Sequence, residues 1–532
     1  MTDGIRRFSQ GFDGRRQFRR CSWLLFPAGL IFSSRAADNN IDMAPILLGL
    51  ALASLLAQTT ALPTQQAFDV PQRIDPLKHL SAISPFFIPA EQPTPLPPGH
   101  SLERVSLLIR HSAILGNDDE YEQTMGPFIE KIKRAETEKL PKEGAWAFLN
   151  TYDSPIVEEN LEKISKRGKD DAFMLGKYVR KQYGELFPKK HKKSKGGKKK
   201  KGSKIPPYKV WTASSERDID TAEAYIRGSF PSDQSGGHGE GDGETVQLIK
   251  VPNKAKDWDR SLTPHKACEA WEKDSSLVPA NKWLSVYAPQ VRERLRQYLP
   301  DLVDELNDQD VLAMQMLCGY ETIAAGDSPF CHLFTDEEWR DVEYYFDIRW
   351  YHSIGYGSYF SPYLGMPWVK TATHLLDGHD SDEKHEPIDQ FKKHKLPAPK
   401  LPPNATHTQF LFPSFTHRES PAFVAIFLNL YNSTSLELPA TAPPSLEKRP
   451  ENWAWRTSHL ISFLGHISLE RFKNDESDES FVRAVVNGKQ EEMGGCSDGI
   501  WQTCKWETFK AWVEERAQQY ADWESVCEPK DK

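Results

Sequence analysis

The chain has 532 residues, 39% of them hydrophobic and 11% aromatic, which is enough for two or three domains or for one large α/β unit with an insertion. A formal net charge of −8 gives no overall basic bias towards nucleic acid, so no nucleic-acid partner is expected. The 38 Pro and 15 Trp residues, together with the lack of an internal repeat, argue against a coiled coil or a solenoid. Composition therefore favours a loop-rich globular protein.

Residues 1–62 form a predicted leader with two parts. The segment 1–42 is Arg-rich, whereas 43–57 is an apolar run followed by small residues, which is typical of a secretory signal peptide. The run is short for a membrane span, so no stable membrane insertion is expected. We expect Met43 to be the natural start, 1–42 to be a gene-model extension, and the mature chain to begin near residues 62–63. The alternative is a genuine Arg-rich leader of the mitochondrial kind.

Residues 63–100 are Pro-rich without periodicity and predict an extended N-terminal arm over the surface. A strand is predicted at Arg104–Arg110, where the apolar run Leu107–Ile109 is followed at once by Arg110 and His111. In open α/β sheets, ligands bind at that edge. A neutral imidazole is a nucleophile, and a neighbouring guanidinium can hold an anion and oppose protonation of the ring. The pair fits attack on a phosphoryl group, and the alternative is a strand end with a solvated Arg and a capping His.

The segment Lys189–Lys204 contains ten Lys in sixteen positions, with Gly and Ser between them. Such a segment cannot bury a core, so we expect a disordered loop. A basic run can also be a nuclear signal or a polyanion-binding patch. Because no aromatic residues are interleaved and a predicted signal peptide precedes it, we favour a solvated insertion that attracts anionic surfaces.

A second strand is predicted at Tyr208–Thr212, followed by a small polar turn and a helix start at Glu216-Arg217. A guanidinium at a helix start, beside free backbone N–H groups, makes an anion site. The alternative is a surface helix cap with an ion pair. Beyond it, residues 251–400 look mainly helical, with helices predicted at Trp283–Leu299, Asp310–Tyr320 and Thr335–Tyr345, the last opening with a capping box.

A third strand is predicted in the apolar stretch that begins at Gln409 and ends in His417, and Arg418 and Glu419 follow it directly. A helix is predicted immediately afterwards at Pro421–Leu430. The pattern repeats that of the first strand, since an apolar run again ends in a His. We therefore expect this edge to carry chemistry as well.

The strand ends resemble the motifs of the histidine acid phosphatases. That family opens with Arg-His-Gly-x-Arg-x-Pro, where this chain has Arg110 and His111 but Ile114 and Gly116 in place of the second Arg and the Pro. The family's phosphate-binding Arg on the second turn matches Arg217. Segments such as Leu317-Cys318-Gly319 and Ser328–Trp339 are similar to the fungal phytase-like branch.

The third motif also resembles the family, with a departure. The family usually has His-Asp here, and its inositol-polyphosphate-phosphatase branch has His-Ala-Glu, whereas this chain has His417-Arg418-Glu419. The resemblance implies that His111 is the nucleophile, that Arg110, Arg217 and His417 bind phosphate, and that Glu419 is the proton donor. Arg418 cannot act as an acid, and we assign it to phosphate binding, where it would have to replace the Arg missing at Ile114.

The resemblance implies an α/β sandwich domain with a mainly helical insert. The predicted catalytic domain comprises residues 101–250 and 401–532, interrupted by the insert 251–400. The implied function is secreted acid phosphatase activity on phosphate monoesters, inositol phosphates among them, through a phosphohistidine intermediate without a cofactor or metal. The expected partner is a phosphorylated small molecule. The alternatives are a catalytically weakened member of the family that binds phosphorylated ligands, and an anion-binding surface protein that acts through its Lys-rich loop.

Cysteine usage agrees with export. Six cysteines follow the leader, an even count that suits three disulfides in an oxidising compartment, and the absence of a CxxC pair argues against a zinc site. The resemblance implies the pairs Cys268–Cys527, Cys318–Cys331 and Cys496–Cys504. Two N-glycosylation sequons begin at Asn404 and Asn432.

Overall fold

An eight-stranded mixed sheet organises the part of the chain that the structure describes. Its strands are β1 (His100–Arg110), β2 (Tyr208–Ala213), β3 (Val246–Val251), β4 (Leu411–Thr416), β5 (His466–Asn474), β6 (Ser480–Val486), β7 (Lys489–Glu491) and β8 (Cys504–Lys505). The order is β3-β2-β4-β1-β5-β6-β7, with β8 also paired to β6. The run β3-β2-β4-β1 is parallel, whereas β5 to β8 pair antiparallel. The carboxyl ends of β1, β2 and β4 therefore meet at one edge.

The computed structural model describes residues 74–87, 94–187, 208–230, 246–253, 262–273, 276–378, 409–432 and 438–529. These all belong to one compact unit, Gln65–Lys532. The predicted leader, the Lys-rich loop 189–204 and the sequon at Asn404 lie outside the described residues. Asn432 is described, but its glycosylation stays a prediction.

Helices flank the sheet on both sides. The longer ones are α1 (Gly126–Arg134), α2 (Lys166–Gln182), α3 (Glu216–Ser229), α4 (Leu277–Leu295), α5 (Asp308–Ala325), α6 (Asp336–Ile354), α7 (Ser361–Asp377), α8 (Glu419–Phe427) and α9 (Trp506–Gln519). Short helices lie at Asp118–Glu120, Pro264–Ala267 and Trp523–Cys527, and a π-helical turn lies at Tyr121–Met125. No helix in the described ranges combines the length and apolar character needed to cross a bilayer.

The mainly helical character of the middle segment is confirmed, because α4 to α7 all lie between β3 and β4. The predicted capping box is present: Thr335 N–H donates to Glu338 Oε2 at 2.8 Å, and Glu338 N–H donates back to Thr335 Oγ1 at 3.3 Å. The helices are longer than their sequence patterns indicated, and α4 begins six residues earlier than Trp283. The division into a catalytic domain and an insert at residues 250 and 400 stays a prediction.

Strand β1 is buried on both faces by an alternating set of side chains. Val105, Leu107 and Ile109 pack in one apolar cluster with side chains of α2 and α3, whereas Leu108 joins the larger cluster on the opposite face. Burial on both sides is typical of a parallel strand inside a sheet. The strand therefore holds its carboxyl end, where Arg110 and His111 follow, in a fixed position.

The expected surface arm is wrong at residues 80–85, which are buried, whereas most of residues 94–99 are exposed or half-buried. Leu80 and Ile83 are fully buried, and a Cβ at Gly319 of α5 would approach Ile83 Cγ2 to 2.5 Å. Ser81 Oγ also lies 2.7 Å from Thr457 Oγ1. The segment packs between helices because its few apolar residues fill space in the core. These residues form no periodic pattern among the surrounding prolines, so the sequence did not predict their burial.

Three disulfides are present, and their pairs are those that the resemblance implied. Cys268–Cys527 joins residues 259 positions apart, whereas Cys318–Cys331 and Cys496–Cys504 join residues 13 and 8 positions apart. The long-range bond ties the short helix Pro264–Ala267 to the C-terminal helix Trp523–Cys527.

Candidate active site

The sheet edge brings the three predicted strand-end motifs together. His111 N–H donates to Thr416 O at 2.8 Å, which joins the end of β1 to the end of β4. The rings of His111 and His417 lie 6.3 Å apart, edge to face. Arg217 occupies the first turn of α3, directly after the turn that follows β2. The predicted nucleophile and its predicted phosphate-binding residues therefore lie at the same edge of the sheet, and Arg110, Arg217 and His417 are all close enough to His111 to affect its pKa.

His111 is held as a neutral imidazole. Its Nδ1 lies 2.9 Å from Ser112 O and donates to that carbonyl, because a carbonyl can only accept. Burial lowers the pKa of His111 well below its ordinary value, and the positive charges of Arg110 and Arg217 lower it further. With Nδ1 protonated, the lone pair is on Nε2, which makes no hydrogen bond within the described residues. The ring is thereby set up as a nucleophile.

Arg110 is a fully buried cation beside His111. Its Nη1 donates to Ala82 O at 2.5 Å and to Ile461 O at 2.6 Å, and its guanidinium carbon lies 4.2 Å from the centre of the Phe463 ring. Burial, followed by the charge of Arg418, lowers its pKa to about 9, so it stays protonated at neutral and acid pH. Its Nε is buried and has no hydrogen-bond partner among the described residues.

Arg217 repeats this arrangement from the opposite side. Its Nη1 forms an ion pair with Glu162, and its buried Nε likewise lacks a partner in the described part of the chain. A buried donor without an acceptor costs about 1–3 kcal/mol. Two such donors on two cations beside one imidazole indicate that the missing acceptor is an anion, and the N-terminus of α3 favours the same charge.

His417 is positioned by protein groups on both ring nitrogens. Its Nε2 lies 3.2 Å from Ser215 Oγ, and its Nδ1 lies 3.0 Å from Asp218 Oδ2. Asn253 Nδ2 donates to the same Ser215 Oγ at 2.6 Å, which leaves the hydroxyl proton free to point at the imidazole. An incoming phosphoryl oxygen can only accept a hydrogen bond, so it would pair with Nε2 when that nitrogen carries a proton.

Arg418 is fixed in a buried ion network. Its Nη1 donates to Glu120 Oε1 at 2.7 Å, its Nη2 lies 3.4 Å from Asn117 Oδ1, and its guanidinium covers the Trp350 ring at 4.9 Å. Glu120 also accepts from the Tyr320 hydroxyl at 2.6 Å. Burial raises the pKa of Glu120, but Arg418 and other positive charges outweigh it and lower that pKa to about 2. The observed partners of Arg418 are protein groups, so its phosphate-binding role stays a prediction.

Ile114, at the place of the second motif Arg, lies in the apolar core. It is 2% exposed, and its backbone pairs with Ile164 in an isolated bridge. The charge that the family places here is therefore not supplied from this position. Arg418 is the buried cation that enters the site where the family has an Asp.

Glu419, the predicted proton donor, is the first residue of α8 and is buried. Its Oε1 lies 3.4 Å from Arg418 Nε, and its Oε2 lies 3.7 Å from His265 Nε2. Burial raises the pKa of this carboxyl, but His265, Arg418, His417 and Lys273 together lower it well below its ordinary value. The ionised form of Glu419 is therefore favoured, and a negatively charged ligand would raise its pKa.

Sequence reasoning missed several residues of the site. His265 and Lys273 come from the segment before α4, and Lys273 forms an ion pair with Asp119 in the loop after β1. Glu120 forms an ion pair with Arg418, and Glu162 forms one with Arg217. Their own surroundings in the sequence carry no motif. Among these residues, only Glu120 lies in a recognisable sequence pattern, the acidic run Asp118–Glu120 that follows the first motif.

Comparison with known proteins identifies the family of this chain. The sequence model of the histidine phosphatase superfamily (branch 2) matches residues 101–487. Phytase A of Aspergillus terreus is 25% identical over 438 residues, covering 80% of this chain and 85% of that protein. An acid phosphatase of Schizosaccharomyces pombe is 23% identical over 354 residues, covering 66% of each chain. The chain belongs to the histidine phosphatase superfamily, branch 2, and is a phosphoric monoester hydrolase.

Solved structures show the same fold. The phytase from D. castellii superposes with a TM-score of 0.63 at 21% identity, covering 88% of this chain and 90% of that one. The multiple inositol polyphosphate phosphatase of Bifidobacterium longum, solved with inositol hexasulfate, gives a TM-score of 0.53 at 14% identity over 82% of this chain and 97% of that one. The predicted α/β fold with a helical insert is confirmed.

Proposed function

We propose that this hydrolase works through a covalent phosphohistidine at His111. The observation that carries the proposal is the free Nε2 of His111 together with two neighbouring arginines, Arg110 and Arg217, whose buried Nε–H donors have no partner among the described residues. Nε2 attacks phosphorus, while Arg110, Arg217 and His417 hold the phosphoryl oxygens, where negative charge develops. Water then attacks the phosphohistidine and releases phosphate.

Glu419 is the proton donor in this proposal. Arg418 occupies the family's Asp position and has no proton to give at acid or neutral pH. The arriving phosphoryl group brings up to two negative charges beside Glu419 and raises its pKa, which opposes the surrounding cations. Protonation of Glu419 is thereby coupled to substrate binding, and acid pH favours it.

Inositol phosphates are the substrate class that the site favours. Beyond the residues at His111, the cations Lys273 and Arg418 contribute a positive field at Glu419 and lower its pKa, and each is also paired with a carboxylate, Asp119 and Glu120 respectively. A substrate with several phosphates would use that field. The relatives named phytase and the structure solved with inositol hexasulfate support the same class.

Secretion is the location that agrees with this chemistry. The pattern of residues 43–57 is that of a signal peptide. Three disulfides need an oxidising compartment, as secreted proteins have. Glycosylation at Asn404 and Asn432 belongs to the same proposal.

A second candidate is a phosphate-binding protein with weak turnover. Ile114 lies in the core instead of supplying the family's second Arg, and Arg418 is engaged by Glu120 and Asn117. One lost charge-assisted contact is worth about 1.5–3 kcal/mol, which would slow the chemical step without abolishing binding.

The test is hydrolysis by purified protein of an alkyl phosphate, an aryl phosphate with an acidic phenol, and phytate at acid pH. We expect turnover of all three, and Glu419→Gln to slow the alkyl phosphate by about 100-fold or more. The aryl phosphate should be slowed much less, because its leaving oxygen hardly needs a proton. Binding of phytate without turnover by the wild type would favour the second candidate. Equal slowing of both esters would make Glu419 a positioning residue.

A further inference from the structure

His265 is a buried histidine that the mechanism above does not use. It lies in the short helix Pro264–Ala267, where its ring packs 5.3 Å from that of Trp271 and 6.0 Å from that of Phe423. Its ring is also 5.9 Å from that of His417. The imidazole therefore lies inside the site, behind the strand end that carries the proton donor.

The loop that carries His265 is fixed to that strand end. Leu262 O accepts from Thr416 Oγ1, and it also accepts from Ser420 Oγ at 2.6 Å. These two residues flank the His417–Glu419 motif in the sequence. On the other side, Cys268 is held by its disulfide to Cys527. The distance between His265 and Glu419 is therefore set by the backbone at both ends.

The two side chains meet through one nitrogen and one oxygen. His265 Nε2 lies 3.7 Å from Glu419 Oε2, while Arg418 Nε faces the other carboxylate oxygen, Oε1, at 3.4 Å. His265 Nδ1 is buried and has no hydrogen-bond partner among the described residues. Most buried polar atoms have a hydrogen-bond partner, so the unpartnered Nδ1 is unusual, and the protein fixes no tautomer of this ring through it.

The protein's own surroundings oppose protonation of the pair. Burial lowers the pKa of His265 to about 3, Glu419 raises it, and His417, Lys266 and Lys273 lower it. Glu419 faces His265, Arg418, His417 and Lys273, and the Lys273 ammonium is itself paired with Asp119. A bound phosphoryl dianion adds negative charge beside both groups, so the pair takes up a proton when substrate is present.

We propose that His265 is the positioning residue of the proton donor, and that it shares one proton with Glu419 once Nε2 and Oε2 close from 3.7 Å to hydrogen-bonding distance in the substrate complex. This inference rests on the proposed function of Glu419. In the first step the His111 Nε2–phosphorus bond forms and the bond to the leaving oxygen breaks. His265 gives its proton to Glu419, and Glu419 gives one to the leaving oxygen. In the second step water attacks phosphorus, the nitrogen–phosphorus bond breaks, and the water proton passes to Glu419 and back to His265.

The consequence is a wider pH range for the proton donor. Two groups that share a proton keep it to a higher pH than the carboxyl alone among these cations. Loss of His265 should therefore affect esters whose leaving oxygen needs the proton, and most strongly at the upper end of the active pH range. A ring that only fills space would affect every substrate alike.

The experiment compares His265→Gln with the wild type on the alkyl and the aryl phosphate across pH. Gln keeps an N–H donor of similar reach but cannot release a proton. We expect kcat for the alkyl phosphate to fall about 10-fold or more, with less than a threefold loss for the aryl phosphate. The upper limb of the alkyl kcat/KM profile should move down by about one pH unit. The matched control is His459→Gln, a half-buried histidine packed against Phe87, whose pKa burial lowers to about 4.

Equal loss on both esters, or an unchanged alkyl profile in His265→Gln, would overturn the proposal. Glu419→Gln separates this failure from that of the proposed function. If Glu419→Gln distinguishes the two esters and His265→Gln does not, only the role of His265 is wrong. If neither variant does, the proton donor itself has been misassigned. Thermal unfolding of each variant confirms that the ester comparison is made on folded protein.

Discussion

Arg217 is the residue that we propose binds the anion at the sheet edge. Its Nη1 is held by Glu162, and Glu162 Oε1 in turn accepts from Asn117 Nδ2 at 2.6 Å. The carboxylate therefore orients the guanidinium while leaving Nε–H unpaired. Because Arg carries a planar fork of donors and Lys a single point charge, the two are not equivalent here.

Arg217→Lys should lower kcat/KM by about 10- to 100-fold, because it keeps the charge but removes the free Nε–H. Inhibition by inorganic phosphate should weaken in parallel, since the product uses the same donor. Steady-state kinetics with and without phosphate measure both effects. Arg227→Lys, an exposed change on the same helix, is the control. Unchanged kinetics for Arg217→Lys would place the anion elsewhere.

At the scale of elements, the short helix Pro264–Ala267 depends on the bond Cys268–Cys527 for its position. The chain-entropy model gives about 5 kcal/mol for closing a loop this long and about 2–3 kcal/mol for the loop closed by Cys496–Cys504. Replacing Cys268 and Cys527 by Ser should therefore lower the unfolding free energy more than the same change at Cys496 and Cys504. Denaturant unfolding measures the order, and the reverse order would contradict it.

The strand ends were predictable because each is a local pattern, an apolar run that stops at a charged or imidazole side chain. Arg110, His111 and His417 were found in this way, and the sheet then brought them together. His265 and Glu162 could not be found, because their roles come from packing between segments that are distant in sequence. The burial of residues 80–83 was missed for a similar reason: a short apolar stretch among prolines has no period.

At the scale of the whole molecule, a buried pair of carboxyl groups on α6 joins three parts of the chain. Glu343 Oε2 lies 2.7 Å from His79 Nδ1 in the N-terminal segment. Asp347 accepts from Trp453 Nε1 at 2.6 Å and from Thr457 N–H at 2.7 Å. The segment before β1 and the loop before β5 are therefore both tied to α6 through these two acids.

The pair makes stability depend on pH. Burial and the neighbouring Glu343 raise the pKa of Asp347 to about 8. Between about pH 4, where the unfolded carboxyl ionises, and pH 8, the folded chain holds a proton that the unfolded chain releases, so stability falls as pH rises. Burial raises the pKa of Glu343, but His79 and Arg456 outweigh it and lower that pKa to about 2. Its contribution is present above about pH 4.5 and is lost as pH falls towards 2.

We therefore expect maximal stability near pH 4–5, and Asp347→Asn should flatten the fall above it. The wild-type slope attributable to one such group is about 1.4 kcal/mol per pH unit. Urea unfolding between pH 4 and 8 gives the slope directly, with exposed Asp301→Asn as the control. A slope that persists in Asp347→Asn would mean that another group titrates.

The proposed mechanism depends on a covalent bond between phosphorus and Nε2 of His111. Rapid mixing of the enzyme with phosphate-labelled substrate, followed by denaturation in alkaline detergent, should leave label on the protein. The label should be stable in alkali, be released in acid, and map to the peptide that contains His111. His111→Ala should fold as the wild type does but carry no label and show no turnover. Labelling or turnover that survives in His111→Ala would contradict the mechanism.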